Sequence, residues 1–96
     1  MKKYEMMFIV KSTVEENVAS ATVENIKSIV TSMKGEITKF DDLGNKKLAY
    51  PIKKEVTGSY YVMYFNANNE LISELDRKAR IDETILRHLI IKLDEE

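Results

Sequence analysis

Cysteine and tryptophan are absent from this chain, and histidine and proline occur once each. Without cysteine there is no disulfide framework, no thiolate metal site and no thiol nucleophile. His88 stands alone, lacking the second imidazole or thiolate that a zinc site or a Cys–His pair needs. Long apolar runs are missing as well. The longest, Tyr60 to Phe65, has six residues, far short of the ~20 that cross a bilayer. The opening Met1-Lys2-Lys3-Tyr4-Glu5 turns acidic before a signal-peptide core can form. These absences predict a cytoplasmic protein with no membrane association. Glycine is scarce, and no glycine-rich phosphate cradle or cofactor motif appears. Nor is there an excess of charge of one sign: fifteen basic and sixteen acidic residues leave a net −1. A nucleic-acid partner then requires basic residues gathered on one face, since the total supplies no field.

What is present is an ordinary soluble balance, 44% apolar and 32% charged over 96 residues, which suits one domain spanning 1–96. The most informative stretch is Gly44-Asn45-Lys46-Lys47-Leu48-Ala49-Tyr50-Pro51-Ile52-Lys53. Leu48, Tyr50 and Ile52 alternate with Lys47, Ala49 and Pro51, the period of a half-buried strand. Pro51 cannot donate to a ladder, so this strand belongs at a sheet edge or its own end. The neighbouring lysines discourage edge-to-edge aggregation.

Along the chain, Tyr4 to Val10 reads as a strand with Met6, Phe8 and Val10 on one face and Glu5, Met7 and Ile9 on the other. Thr13 and Glu16 fit a capping box. Val18, Thr22, Ile26, Ile29, Val30 and Met33 then recur at helical spacing, and Gly35 stands where a left-handed cap is expected. Glu36 to Leu43 is a second strand, Ile37 and Lys39 opposing Thr38 and Phe40. At Gly44-Asn45 either a tight hairpin or a glycine bulge fits. Lys53 to Gly58 reads as a polar loop. Tyr60 to Phe65 is the strongest strand, with Phe65, Met63 and Tyr61 facing the core and Tyr60, Val62 and Tyr64 facing away. Asn66 to Asn69 supplies an N-cap for a helix carrying Leu71, Ile72, Leu75 and Ala79 inward, with Glu74 four residues before Lys78 for a surface pair. Ile85 to Leu93 is the last strand, Leu86, His88 and Ile90 opposing Arg87, Leu89 and Ile91. The acidic Asp94-Glu95-Glu96 tail is expected to fray. The order is strand, helix, strand, strand, helix, strand. It predicts an α+β, ferredoxin-like split βαβ fold: a four-stranded antiparallel sheet with both helices on one face.

Catalytic chemistry finds little support. Asp41-Asp42 and Glu15-Glu16 are adjacent carboxylates whose side chains diverge, each with local work in a turn or a helix start. Small hydrolases of this architecture hold phosphate between the first strand and first helix, but here Glu15 and Glu16 occupy the anion's place. His88, beside Leu86 and Ile90, reads as a hydrogen-bonded residue on the core side or at a sheet edge. No enzyme, metal, cofactor or small-molecule substrate is expected. Lys2, Lys3, Lys46, Lys47, Lys53, Lys54, Arg80, Arg87 and Lys92, with rings at Tyr4 and Tyr60, offer phosphate contacts and stacking surfaces.

The stretch from Gly44 to Lys53 closely resembles the signature of bacterial small-subunit ribosomal protein six. The likeness extends to the basic residues before Tyr4-Glu5, to Gly35, to Gly58-Ser59-Tyr60, and to Arg80-Ile81 with Arg87. It favours the bulge over the hairpin at Gly44. It implies a ferredoxin-like constituent of the small ribosomal subunit that binds central-domain rRNA alongside the ribosomal protein numbered eighteen. It also implies that Lys2, Lys3, Tyr4, the signature lysines, Arg80 and Arg87 face RNA or partner. Asp82-Glu83, where some relatives are more basic, weakens the case for that corner. The alternative is a regulatory or scaffold domain of the same fold that binds protein or a small ligand.

Overall fold

A computed structural model describes residues 1–93; the acidic tail lies outside the described residues. The elements are β1 (Lys2–Lys11), α1 (Glu16–Ser32), β2 (Glu36–Ile52), β3 (Glu55–Ala67), α2 (Asn69–Ile81) and β4 (Ile85–Lys92). The sheet is antiparallel with order β2-β3-β1-β4. Both helices pack on one face, the split βαβ arrangement that the sequence order predicts.

The core lies between sheet and helices. β1 contributes Met6, Phe8 and Val10, β3 contributes Met63 and Phe65, and the helices return Ile26, Val30, Leu71 and Leu75. Period-2 alternation on the central strands and a 3.6-residue stripe on each helix put these side chains together. Ile90, expected in the core, is only partly buried against it, because β4 is an edge strand.

Local details differ from expectation in ways that matter for the surface. Thr13 does not cap α1. Its hydroxyl donates to Glu55 Oε1 at 2.8 Å, and Glu15 takes the N-cap position with no side-chain bond. The left-handed residue after α1 is Lys34 (φ 66°). Gly35 is needed for room instead: a Cβ there would meet Leu71 Cδ1 at 2.6 Å and Asn66 O at 2.9 Å. Glu74 pairs with Arg77 at 2.7 Å, one residue short of Lys78. Asn68 caps α2 as expected, accepting from Leu71 N at 2.9 Å.

Bulges account for the larger corrections. A register shift between Ile37 and Lys39 makes Thr38 the extra residue, so Ile37 and Phe40 both pack against the core. A second, between Asp42 and Gly44, has Gly44 at φ 83° with its N–H donating to Asp42 Oδ1 at 2.9 Å. That decides the choice at Gly44 for a bulge within one long strand. The segment read as a loop, Lys53 to Gly58, is mostly strand: β3 starts at Glu55, leaving Lys53-Lys54 as a two-residue turn.

Candidate nucleic-acid interface

The face of the sheet away from the helices is organised by the signature. Pairing runs from Lys47 opposite Thr57 to Ile52 opposite Glu55, so four residues of β2 stand against one of β3. Leu48, Ala49, Tyr50 and Pro51 are thereby thrown over the open face. Pro51 has no ladder bond to lose here, which is why it is tolerated.

This excursion crosses β3 and β1 to reach β4. Leu48 is buried with Ile9 of β1 and Leu86 of β4, with Ile52 and Tyr60 packed around them, in a small cluster separate from the main core. Leu86 reaches this face because the β1–β4 register shifts between Ile9 and Val10. It does not share His88's side, as simple alternation predicts. Tyr50 lies farther out, and its hydroxyl accepts from Arg87 Nη1 at 2.6 Å. Beneath the excursion is a cleft of about 230 Å³, with Met7, Tyr60 and Leu89 among its walls.

The structure divides the basic residues proposed from sequence. Lys2 stands opposite Ala67, and Lys92 opposite Tyr4, at one end of the sheet with Lys3. Lys46 and Lys47, opposite Gly58 and Thr57, lie at the other end with Lys53 and Lys54 beyond them. β1's ten residues separate the two groups, about 30 Å at the usual strand rise. Arg87 and Tyr60 sit between them on the open face, Lys46 Nζ lying 5.8 Å from the Tyr60 ring centroid.

Two candidates do not join this surface. Tyr4 is 7% exposed and stacks on Phe65 with ring centroids 6.0 Å apart, so it is a core residue. Its neighbours Lys2 and Lys3 carry the charge at that end. Arg80 is on α2, in the helical layer, ion-paired with Asp76. The same carboxylate accepts from His88 Nε2 at 2.8 Å. The bond with His88, then that with Arg80, holds the Asp76 carboxyl below the usual carboxylate range. His88 is thus a tie between β4 and α2, on the core side as expected. On the core side of β3, burial and then Asp42 raise the Tyr61 hydroxyl.

Sequence reasoning missed Lys39, which stands opposite Tyr64 with its ammonium 5.9 Å from that ring and 3.6 Å from Asp41. The bulge at Thr38 concealed its neighbours. Between the basic ends the face also exposes apolar side chains: Leu89 is 50% exposed and Ile91 44%. Among the described residues no cluster of metal-ligating side chains occurs, and no helix is long and apolar enough to cross a membrane.

Residues 3–92 match the family model described as Ribosomal protein S6. The chain belongs to that family. It is 44% identical over 94 residues to small ribosomal subunit protein bS6 of Campylobacter jejuni, covering 98% of this chain and 75% of that protein. The bS6 of Caldanaerobacter subterraneus is 39% identical over 95 residues, covering 99% of this chain and all of the other. The crystal structure of 30S ribosomal protein S6 from Thermotoga maritima superposes with a TM-score of 0.90 at 34% identity, covering 96% of this chain and 87% of that one. Membership in the S6 family makes the chain a constituent of the small ribosomal subunit, in the ribonucleoprotein setting of the bacterial cytoplasm. The family is a structural class, not a catalytic one.

Proposed function

We propose that this chain binds central-domain rRNA of the small subunit jointly with the ribosomal protein numbered eighteen. The carrying observation is a pair of features: Leu89 and Ile91 exposed on the open face, and lysines gathered at both ends of the sheet. Phosphate contacts supply much of the affinity of a nucleic-acid binder, but a net charge of −1 gives this chain no long-range attraction of its own. A basic protein seated on Leu89, Ile91 and Met7 buries apolar surface that is otherwise wet and extends the positive surface. The chain is then an adaptor, binding rRNA well as half of a pair. Lys2, Lys3 and Lys92 serve one end, and Lys46, Lys47, Lys53 and Lys54 the other.

Titrating a central-domain rRNA fragment with the protein alone, then with its partner added, tests the reading. Tighter binding with the partner is expected. Equal affinity in the two titrations overturns it.

A further inference from the structure

Lys53 and Lys54 join β2 to β3 as a two-residue turn, and both have left-handed backbones, at φ 49° and 69°. Hairpin turns of this kind favour asparagine and glycine, since a Cβ in that region crowds the following carbonyl. Two non-glycine residues in sequence held there are a local strain, and such strain gathers at positions kept for function. Both are cations. They also close an acid-free stretch: residues 43–54 hold four lysines and no carboxylate.

The turn is mounted from two sides. Across the open face, Leu48 is seated between Ile9 and Leu86, and Tyr50 is bonded to Arg87. On the β3 side, Ser12 Oγ and Thr57 Oγ1 share a hydrogen bond of 2.7 Å, and Thr13 donates to Glu55. A hairpin tip tied this way carries its ammonium groups on an ordered backbone, which lowers the entropy lost when they engage a ligand.

We propose that the Lys53–Lys54 turn is a phosphate-gripping tip, its lysines standing where a better turn sequence is possible because they contact the RNA backbone. Tyr50 and Arg87 are its positioning residues. The inference rests on the rRNA-binding reading and adds which turn grips and what holds it. A carboxylate-rich protein is the other anion such a tip could take; the RNA titration excludes it if the turn's lysines carry part of the salt dependence.

The test replaces the turn by the sequence its geometry prefers, Lys53→Asn with Lys54→Gly. This variant is expected to melt at a higher temperature than wild type. In complex with its partner it is expected to bind the rRNA fragment more weakly, its salt slope reduced by about 1.4–1.8 for two lost phosphate contacts. The charge-only pair Lys53→Gln with Lys54→Gln should lose the same slope without the gain in melting temperature. Tyr50→Phe, which keeps both lysines, should weaken RNA binding and speed trypsin cleavage at the turn. A full salt slope in both turn variants, alongside a reduced slope in Lys46→Gln with Lys47→Gln, overturns the tip and leaves rRNA binding standing. Full slopes in every lysine variant overturn both. Wild-type affinity and trypsin resistance in Tyr50→Phe remove its positioning role.

Discussion

Ile9 lies so close over Gly58 that a Cβ at position 58 would stand 2.4 Å from Ile9 Cγ2, with Leu86 Cδ1 at 3.5 Å. The clash is with a β-branched side chain that has few rotamers to retreat to. Ile9 and Leu86 are the seat of Leu48, so room at Gly58 is what lets the signature lie down on the sheet. Gly58→Ala should therefore cost ~1–3 kcal/mol by overpacking. A urea titration will read this as a lower midpoint at unchanged slope. If the midpoint holds, Ile9 swings aside at no cost and the account of Gly58 is wrong.

Leu48→Ala empties that seat from the other side. Leu48 is buried, but in a small cluster near solvent, so the loss should fall in the lower part of the ~2–5 kcal/mol range for such truncations. Amide exchange localises it: protection should drop along the Leu48–Ile52 segment while the helices keep theirs. Uniform loss across the chain would mean that the two clusters are one cooperative unit.

Phe8 is fully buried, its ring 5.3 Å from Tyr61 and 6.3 Å from Phe40, centroid to centroid. Phe8→Ala should cost ~3–5 kcal/mol, a large part of a small domain's stability. Chemical denaturation at neutral pH measures it, and a change under 1 kcal/mol would contradict the packing described.

Asp76 carries a pH signature. Its folded carboxyl titrates below the ordinary value of 3.8 because His88 and Arg80 hold the charged form. A group depressed on folding contributes stability that is complete above its unfolded pKa and lost as pH falls through the folded one. The stability gap between wild type and Asp76→Asn should therefore be level near neutrality and shrink on acidification below about pH 4. Paired denaturation curves from pH 7 down to pH 3 follow the gap. A gap that stays constant to pH 3 would rule out the ionised clasp.

Element order and the main core are readable from periodicity alone. Met6, Phe8, Phe65 and Leu75 alternate or recur as buried residues must, and packing agrees. Bulges escape such reading, because one extra residue reverses the face of everything beyond it. Thr38 and Leu86 are both such cases. The basic residues could be collected from sequence, but not sorted: their division between the two ends of the sheet follows from register. Tyr4 shows a second limit. An aromatic beside lysines looks like a stacking platform, yet alternation with Met6 and Phe8 already assigned it to the core. The Lys53–Lys54 turn lacks the asparagine or glycine that marks a hairpin, so nothing local announces it.

The strand order has a consequence for how the protein is made. β1 emerges first from the ribosome, yet both its neighbours, β3 and β4, are synthesised later, β4 after all the other elements. When translation has reached the end of β2, the nascent chain holds β1, α1 and β2, and no two of these strands are partners. Closing β1 onto β4 joins residues far apart in the chain, Tyr4 with Lys92 at one end of the ladder and Val10 with Ile85 at the other, and that loop must be closed before the pairing gives anything back. Before β4 is made, the β2–β3 hairpin and the β1–β3 ladder can already pair, and only the β4 edge waits for the last strand.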